Sequence, residues 1–313
     1  MSADRLVLVT GGAGFIGSHL CEALVERGVR VRVLDDFSSG NAANLAAIWR
    51  EIEVVEGSLE SPGAVGRAVR GASDIVHLAA KSSVAESIGA RDLYERVNVG
   101  GTCTLFAAAT AARVRRVVFA ASSSAYGDHA APHEESMEPR PMSPYAATKV
   151  AGERMVRELA ESGGVDAVAL RFFNVYGARQ DPNSAYAAVI ARFVTRIAAG
   201  QPVTVFGDGL QTRDFVHVGD TARAVIAALD APHPLGGRIA NIGTGRAVSI
   251  LALAQLVGAV LGSRVAVEHQ PARAGEVRDS VAATERAREL LGFSARVRLE
   301  DGIATIAGAA PRG

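Results

Sequence analysis

A strand-forming run, Arg5-Leu6-Val7-Leu8-Val9-Thr10, passes directly into Gly11-Gly12-Ala13-Gly14-Phe15-Ile16-Gly17 and then into a helix-forming stretch, Ser18 to Arg27. A buried strand that turns tightly into a helix aims the helix's unpaired N–H groups at whatever lies over the turn, and that geometry suits a pyrophosphate. The spacing Gly12-x-Gly14-x-x-Gly17 supplies one glycine for the turn, one that lets backbone approach a phosphate and one that lets helix and strand pack closely, while Gly11 adds a second spacing. A second apolar run, Val29 to Leu34, ends in Asp35-Asp36, where a carboxylate reaches the ribose hydroxyls of an adenosine dinucleotide. Such a carboxylate accepts from two hydroxyls and repels a phosphate, so the pattern points to NAD over NADP.

Length and charge narrow the partners. The 313 residues suffice for a full α/β core and a second, smaller region. Acidic and basic residues balance at 33 each without a basic run, which argues against nucleic acid or an anionic membrane as partner and for a small molecule. Cys21 and Cys103 fall in apolar helical stretches with no metal or disulfide spacing, and both read as core filler in a reducing compartment. No export signal or long apolar run is present, so a soluble, cytoplasmic protein is expected.

Short apolar runs at Ile52 to Glu56, Asp74 to Leu78, Arg116 to Ala120 and Val165 to Leu170 alternate with helix-length segments, including Ser61 to Val69 and Leu93 to Ala112. That alternation predicts an α/β fold with a doubly wound, Rossmann-type parallel sheet whose strand C-termini form the ligand edge. Residues 1–173 form the expected NAD-binding domain, with segments near 215–230 and 239–243 returning to it. Residues 174–313, where regular alternation breaks down, form mainly a smaller α/β substrate lobe. Leu78-Ala79-Ala80 ends one strand with small residues that let a cofactor lie close, and the preceding His77 reads as a satisfied core histidine.

Phe119-Ala120-Ala121-Ser122-Ser123-Ser124 delivers hydroxyls to a strand's C-terminal end, and a polar, proline-rich loop then leads to Tyr145-Ala146-Ala147-Thr148-Lys149. Helical periodicity there puts Tyr145 and Lys149 one turn apart on one face. A free tyrosine titrates near 10, so making it a base at pH 7 takes about 4 kcal/mol. A lysine ammonium one turn away and a positively charged nicotinamide supply much of that. Ser122 is the expected ligand of the substrate oxygen, with Ser123 as the alternative.

These motifs resemble the extended short-chain dehydrogenases/reductases, and among them the NAD-dependent UDP-sugar 4-epimerases. The likeness also covers Asn98-Val99-Gly100-Gly101-Thr102, Arg171-Phe172-Phe173-Asn174-Val175-Tyr176-Gly177, Arg213-Asp214-Phe215-Val216-His217-Val218-Gly219-Asp220 and Arg273-Ala274-Gly275-Glu276. The resemblance implies tightly bound NAD against Gly11, Gly14, Phe15, Ile16, Gly17, Asp35, Ser58, Leu59, Leu78, Ala79, Ala80, Lys81, Asn98, Tyr145 and Lys149. It implies that Asn174, Arg213 and Arg273 contact a nucleotide diphosphate, Glu276 a uridine ribose, and Lys81, Val84, Ser122, Ser123 and Val189 the substrate. It also implies a homodimer built as a four-helix bundle from Leu93 to Ala112 and Tyr145 to Glu161. Ser58 departs from the family's usual aspartate, so adenine recognition is differently made, and Glu276 replaces the commoner aspartate.

Sugar 4,6-dehydratases of this family carry an Asp-Glu pair where this chain has Ser123-Ser124, and the xylose-forming decarboxylases carry a glutamate. Elimination needs such an acid and base, whereas epimerisation needs none beyond Tyr145. Ser280 occupies a position where epimerases restricted to glucose and galactose carry a tyrosine, and Gln180 to Ile190 resembles the branch acting on N-acetylated sugars. The expected substrates are UDP-N-acetylglucosamine and UDP-N-acetylgalactosamine together with UDP-glucose and UDP-galactose. A UDP-glucuronic acid epimerase, another nucleotide-sugar oxidoreductase of the same scaffold and a non-catalytic NAD-binding protein are the rival readings.

Overall fold

The computed structural model describes residues 5–162, 164–181, 189–272 and 277–308. In the first half β1 (Leu6–Thr10), β2 (Arg30–Asp35), β3 (Ile52–Glu56), β4 (Asp74–His77), β5 (Arg116–Ser122) and β6 (Asp166–Phe172) are strands. Between them run α1 (Phe15–Glu26), α2 (Pro62–Val69), α3 (Val84–Gly89), α4 (Arg91–Tyr94), α5 (Gly101–Ala111) and α6 (Pro144–Glu161). The second half places β7 (Asn174–Tyr176), α7 (Val189–Ala198), β8 (Val203–Phe206), β9 (Thr212–Arg213), β10 (Phe215–His217), α8 (Val218–Asp230) and β11 (Arg238–Ile242). It ends with β12 (Val248–Ser249), α9 (Ile250–Leu261), β13 (Val267–Gln270), β14 (Asp279–Ser280), α10 (Glu285–Leu291) and α11 (Leu299–Ile306).

The central sheet is seven-stranded in the order β11-β6-β5-β4-β1-β2-β3, and each pairing is parallel. This is a Rossmann-type α/β fold. All five residues of β1 are buried because both faces of the sheet are covered. Val7 and Val9 enter one core with Leu20 of α1 and Val225 of α8; Leu8 enters the other with Val65 of α2, Leu105 of α5 and Val156 of α6. Chain order reverses between β1 and β4, so the C-terminal ends of these strands diverge into the crevice where such sheets bind ligands. A third core, which includes Phe193, Val205 and Leu253, sits under α7, β8 and α9. Three small sheets complete this half: β10-β7, β12-β9-β14 and β13-β8.

The structure corrects two expectations. The helix expected over Leu93 to Ala112 is interrupted by a π-helical stretch, Glu95–Gly100, between α4 and α5. Its wider turn re-aims the residues it carries, including the buried Asn98. Cys103 is exposed, whereas Cys21 is buried. On an alanine-rich helix the outward side is as apolar as the inward one, so composition did not separate them.

Packing and hydrogen bonds together place α6. Gly152 faces β5, where a Cβ would lie 2.2 Å from Phe119 Cζ, so only glycine permits this approach. Behind the sheet edge runs a fully paired polar chain. Thr102 donates to the Asn98 carbonyl (2.5 Å), so its oxygen accepts from His77 Nε2–H (2.9 Å), and His77 Nδ1 accepts from Thr10 Oγ1 (2.8 Å). His77 is thus a core histidine with both nitrogens satisfied, and burial, followed by the charge of Lys149, pushes it down to about 3. Between that value and the free imidazole's value of about 6.5, the unfolded chain binds one more proton than the folded one. His77 therefore contributes stability that is fully present above the unfolded value and is lost as pH falls toward the folded one. Unfolding free energy measured between about pH 4.5 and 6 is expected to depend on pH less steeply in His77→Asn, by up to about 1.4 kcal/mol per pH unit. Equal slopes in the two proteins would mean that the imidazole titrates normally.

Candidate active site

One cavity of about 1180 Å³ runs from the glycine turn, across the ends of β4 and β5, to α7, β8 and β9. At its first end stand Gly11, Gly14, Phe15, Ile16 and Gly17. Gly11 has φ +71, and a Cβ on Gly17 would lie 2.2 Å from the Gly11 carbonyl oxygen, so the turn and α1 touch backbone to backbone. Gly14 is the N-cap of α1, which leaves the N–H groups of the first helical turn without intrahelical partners. A bare, donor-rich helix terminus of this kind fits the pyrophosphate of a dinucleotide.

The adenosine side is lined by Asp35, Ser58 and Leu59. Asp35 is buried, and its two oxygens accept from Ala13 N–H and Phe37 N–H, each at 2.9 Å. Burial pushes this carboxyl up and the two amides pull it back. Each oxygen keeps lone-pair capacity for a ribose hydroxyl. The Ser58 hydroxyl oxygen accepts from Glu60 N–H (3.2 Å), so it serves its own turn as well as the cavity wall. Leu78, Ala79, Ala80, Lys81 and Val84 continue the lining toward the centre.

At the centre the ends of β5 and α6 bring Ser122, Ser123, Tyr145 and Lys149 to the same wall. The N-cap Ser143 accepts from Ala146 N–H (3.1 Å) and Pro144 occupies the first turn, which starts α6 just before the tyrosine. The Ser122 hydroxyl stands close enough to Tyr145 to pull its phenol down, and its oxygen accepts from Ser124 Oγ (2.9 Å) and Ser124 N–H (3.2 Å). Lys149 is buried, donates to the Ala120 carbonyl (2.8 Å) and has Nζ 5.9 Å from the Tyr145 ring centre. Burial lowers this lysine to about 8, against the opposing charge of Glu153 one turn on. Burial raises the Tyr145 phenol, partly offset by Ser122. The protein alone therefore keeps the phenol protonated at neutral pH, and a further positive charge beside it would favour the phenolate.

Asn174, Val189 and Arg213 line the far end of the cavity. Asn98 and Ser280 stand outside the lining. Asn98 acts one layer back: its amide accepts from Lys81 N–H (2.8 Å) and donates to the Lys81 carbonyl (2.9 Å) and to Thr148 Oγ1 (3.0 Å). Thr148 in turn donates to the Tyr145 carbonyl (2.8 Å), so one side chain registers the β4 terminus against the tyrosine's helical turn. Ser280 lies in β14, paired with Arg213. Arg273 and Glu276 lie outside the described residues, as do residues 182–188 of the Gln180 to Ile190 segment.

Several wall residues escaped the sequence reading. Arg192, Arg196, Thr204, Phe206 and Gln211 face the far end. The alternation of Val203 and Val205 inward with Thr204 and Phe206 outward was the available signal. Tyr94 packs edge-on to Tyr145 with ring centres 6.5 Å apart, a contact no local pattern announces.

Residues 7–243 match the NAD dependent epimerase/dehydratase family. The chain belongs to this family. It is 39% identical over 302 residues to the UDP-glucose 4-epimerase of Mycolicibacterium smegmatis, covering 95% of this chain and 96% of that protein. Among solved structures it resembles the UDP-N-acetylglucosamine 4-epimerase of Methanobrevibacter ruminantium M1, in complex with UDP-N-acetylmuramic acid (TM-score 0.92, 33% identity, 97% of each chain). It also resembles the UDP-glucose 4-epimerase of Thermotoga maritima with UDP-glucose (TM-score 0.91, 35% identity, 97% of this chain and 98% of that one). NAD is the family's cofactor, and the glycine turn and Asp35 suit it.

Replacing the phenol tests the centre directly. Tyr145→Phe is expected to lower kcat by about 100- to 10,000-fold while the purified protein keeps its NAD content, read by absorbance after denaturation. A loss of less than about tenfold would remove Tyr145 from proton transfer.

Proposed function

We propose that the protein interconverts the C4 epimers of UDP-hexoses, UDP-N-acetylglucosamine with UDP-N-acetylgalactosamine and UDP-glucose with UDP-galactose, with NAD held throughout the cycle. The observation that carries this reading is the convergence of Ser122, Tyr145 and Lys149 on the wall of one cavity of about 1180 Å³ whose lining runs from the glycine turn to Arg213.

When bound, NAD supplies the hydride acceptor and donor for C4 and, oxidised, a positive charge beside the phenol. Tyr145 Oη takes the proton from the sugar's O4, and Ser122 Oγ holds that oxygen as the C4 carbonyl forms. Lys149, fixed by the Ala120 carbonyl, stabilises the phenolate. Arg213 and Asn174 hold the diphosphate, so the 4-keto sugar can turn about its link to the nucleotide without leaving. Small wall residues, Ala80 and Ser123 among them, leave room for that rotation. Tyr145 then returns the proton to O4, and no net oxidation results.

Elimination is disfavoured by the same wall. Among the described residues, the carboxylates lining the cavity are Asp35, Asp36 and Asp181, none of them on the segment after Ser122. Room for an N-acetyl group is supported by Ser280, which puts no bulky ring on the strand beside Arg213, and by the likeness to an enzyme of UDP-N-acetylglucosamine. The dimer we propose buries the outward stripe of Cys103 and Ala107 on α5 with Ala147 and Ala151 on α6.

The test is to incubate the purified protein, with no added cofactor, with UDP-N-acetylglucosamine, UDP-glucose or UDP-glucuronic acid and follow each by proton NMR. Conversion of the first two to their C4 epimers is expected. Exclusive turnover of the uronic acid would overturn the substrate assignment, and net oxidised product would overturn the reaction. Light scattering is expected to give the mass of two chains, and a monomer would remove the dimer.

A further inference from the structure

Arg213 and Phe215 line the cavity, and Asp214 between them points the opposite way, into the protein. Its carboxylate is fully buried, and no ion pair to it is found among the described residues. A buried charge without a counter-ion is costly unless hydrogen bonds replace its water. Here they do. Oδ1 accepts from Thr244 N–H (2.8 Å) and Thr244 Oγ1 (2.5 Å), and Oδ2 from Gly245 N–H (2.8 Å) and Ala282 N–H (3.2 Å). The Asp214 backbone carbonyl accepts from Asn174 N–H (3.0 Å). Gly243 makes room for this arrangement, since a Cβ there would lie 2.6 Å from Oδ2.

The donors belong to the segments that flank Arg213. Thr244 and Gly245 lead into β12, whose Val248 pairs with Arg213; Ala282 follows β14, whose Ser280 pairs with Arg213 from the other side. Both outer strands of the small sheet, and the backbone of Asn174, are thereby registered to one residue. We propose that Asp214 is a positioning residue for nucleotide binding: it fixes Arg213 and Asn174 against the diphosphate of the UDP-sugar and takes no part in proton or hydride transfer. This rests on the UDP-sugar reading given above.

An amide cannot replace the carboxylate. In Asp214→Asn one oxygen becomes NH2, which then faces N–H donors instead of accepting from them. The experiment measures UDP affinity by calorimetry and steady-state kinetics on NAD-loaded wild type and Asp214→Asn. The expected result is a Kd for UDP and a KM for the UDP-sugar each raised at least about tenfold, with kcat within about threefold and NAD content unchanged. An unchanged Kd and KM, or a fall in kcat alone, would overturn the proposal. Should Asp214→Asn fail to fold, Thr244→Val removes the hydroxyl that donates to Asp214 and accepts from Arg246 N–H (3.2 Å), and is expected to raise Kd by about threefold, roughly one net hydrogen bond; no rise would overturn the proposal. Wild type that fails to bind UDP would overturn the functional reading, and this inference with it. Wild type that binds UDP beside an unaffected variant would overturn this inference alone.

Discussion

No side chain fits between the first turn of α1 and the loop that precedes it. A Cβ on residue 17 would meet the Gly11 carbonyl oxygen at 2.2 Å and Gly12 Cα at 2.7 Å, and one on Gly11 would meet Ala79 N at 2.7 Å. Three backbone segments, the end of β1, the start of α1 and the end of β4, are therefore in direct contact at the sheet's switch point. The helix terminus that can hold a pyrophosphate lies beside the small residues after β4, and β5 and α6 supply the reacting groups next to it. The cavity's position follows from this contact.

Chemistry at the centre depends on charges held out of water. Lys149 is buried with one carbonyl as its hydrogen-bond partner, and burial weakens its hold on its proton. Tyr145 is raised by the same burial, so the phenol is not a poised base on the protein's own charges. That dependence suits a catalyst that must not oxidise or reduce its substrate permanently. In the cycle we propose, the phenol would take the proton in the oxidising half and return it in the reducing half. Rigid placement supports this. Gly152 against Phe119, the Asn98 amide between Lys81 and Thr148, and the buried pair of Arg171 and Glu153 (2.7 and 2.8 Å) hold α6 to the sheet.

Where chemistry or sterics allow only one residue type, the sequence is legible. The glycine turn, the acid ending β2, and the hydroxyl, phenol and ammonium of Ser122, Tyr145 and Lys149 were readable because each job excludes most side chains. The inner strands β1, β4, β5 and β6 were readable because burial on both faces leaves nearly continuous apolar runs. The small sheets were not: β9, β12 and β14 are two residues long, and their pairing is set by partners as distant as Thr244 and Ala282. Cys103 was misplaced for a related reason, since an alanine-rich helix carries no contrast between its faces. Tyr94 and Thr148 touch the centre only through the interrupted helix and the packing of α6, which no local pattern encodes.

The transient oxidation at C4 and return of the same hydride that we propose make a sharp demand on the label. UDP-glucose carrying deuterium at C4 should yield UDP-galactose that keeps the deuterium at C4 when turned over in ordinary water, with no exchange into solvent and none into added free NAD. Loss of the label to water would place a carbanion at C4 in the path, and its appearance in the free cofactor pool would mean that NAD leaves between the two hydride transfers; either result contradicts the account.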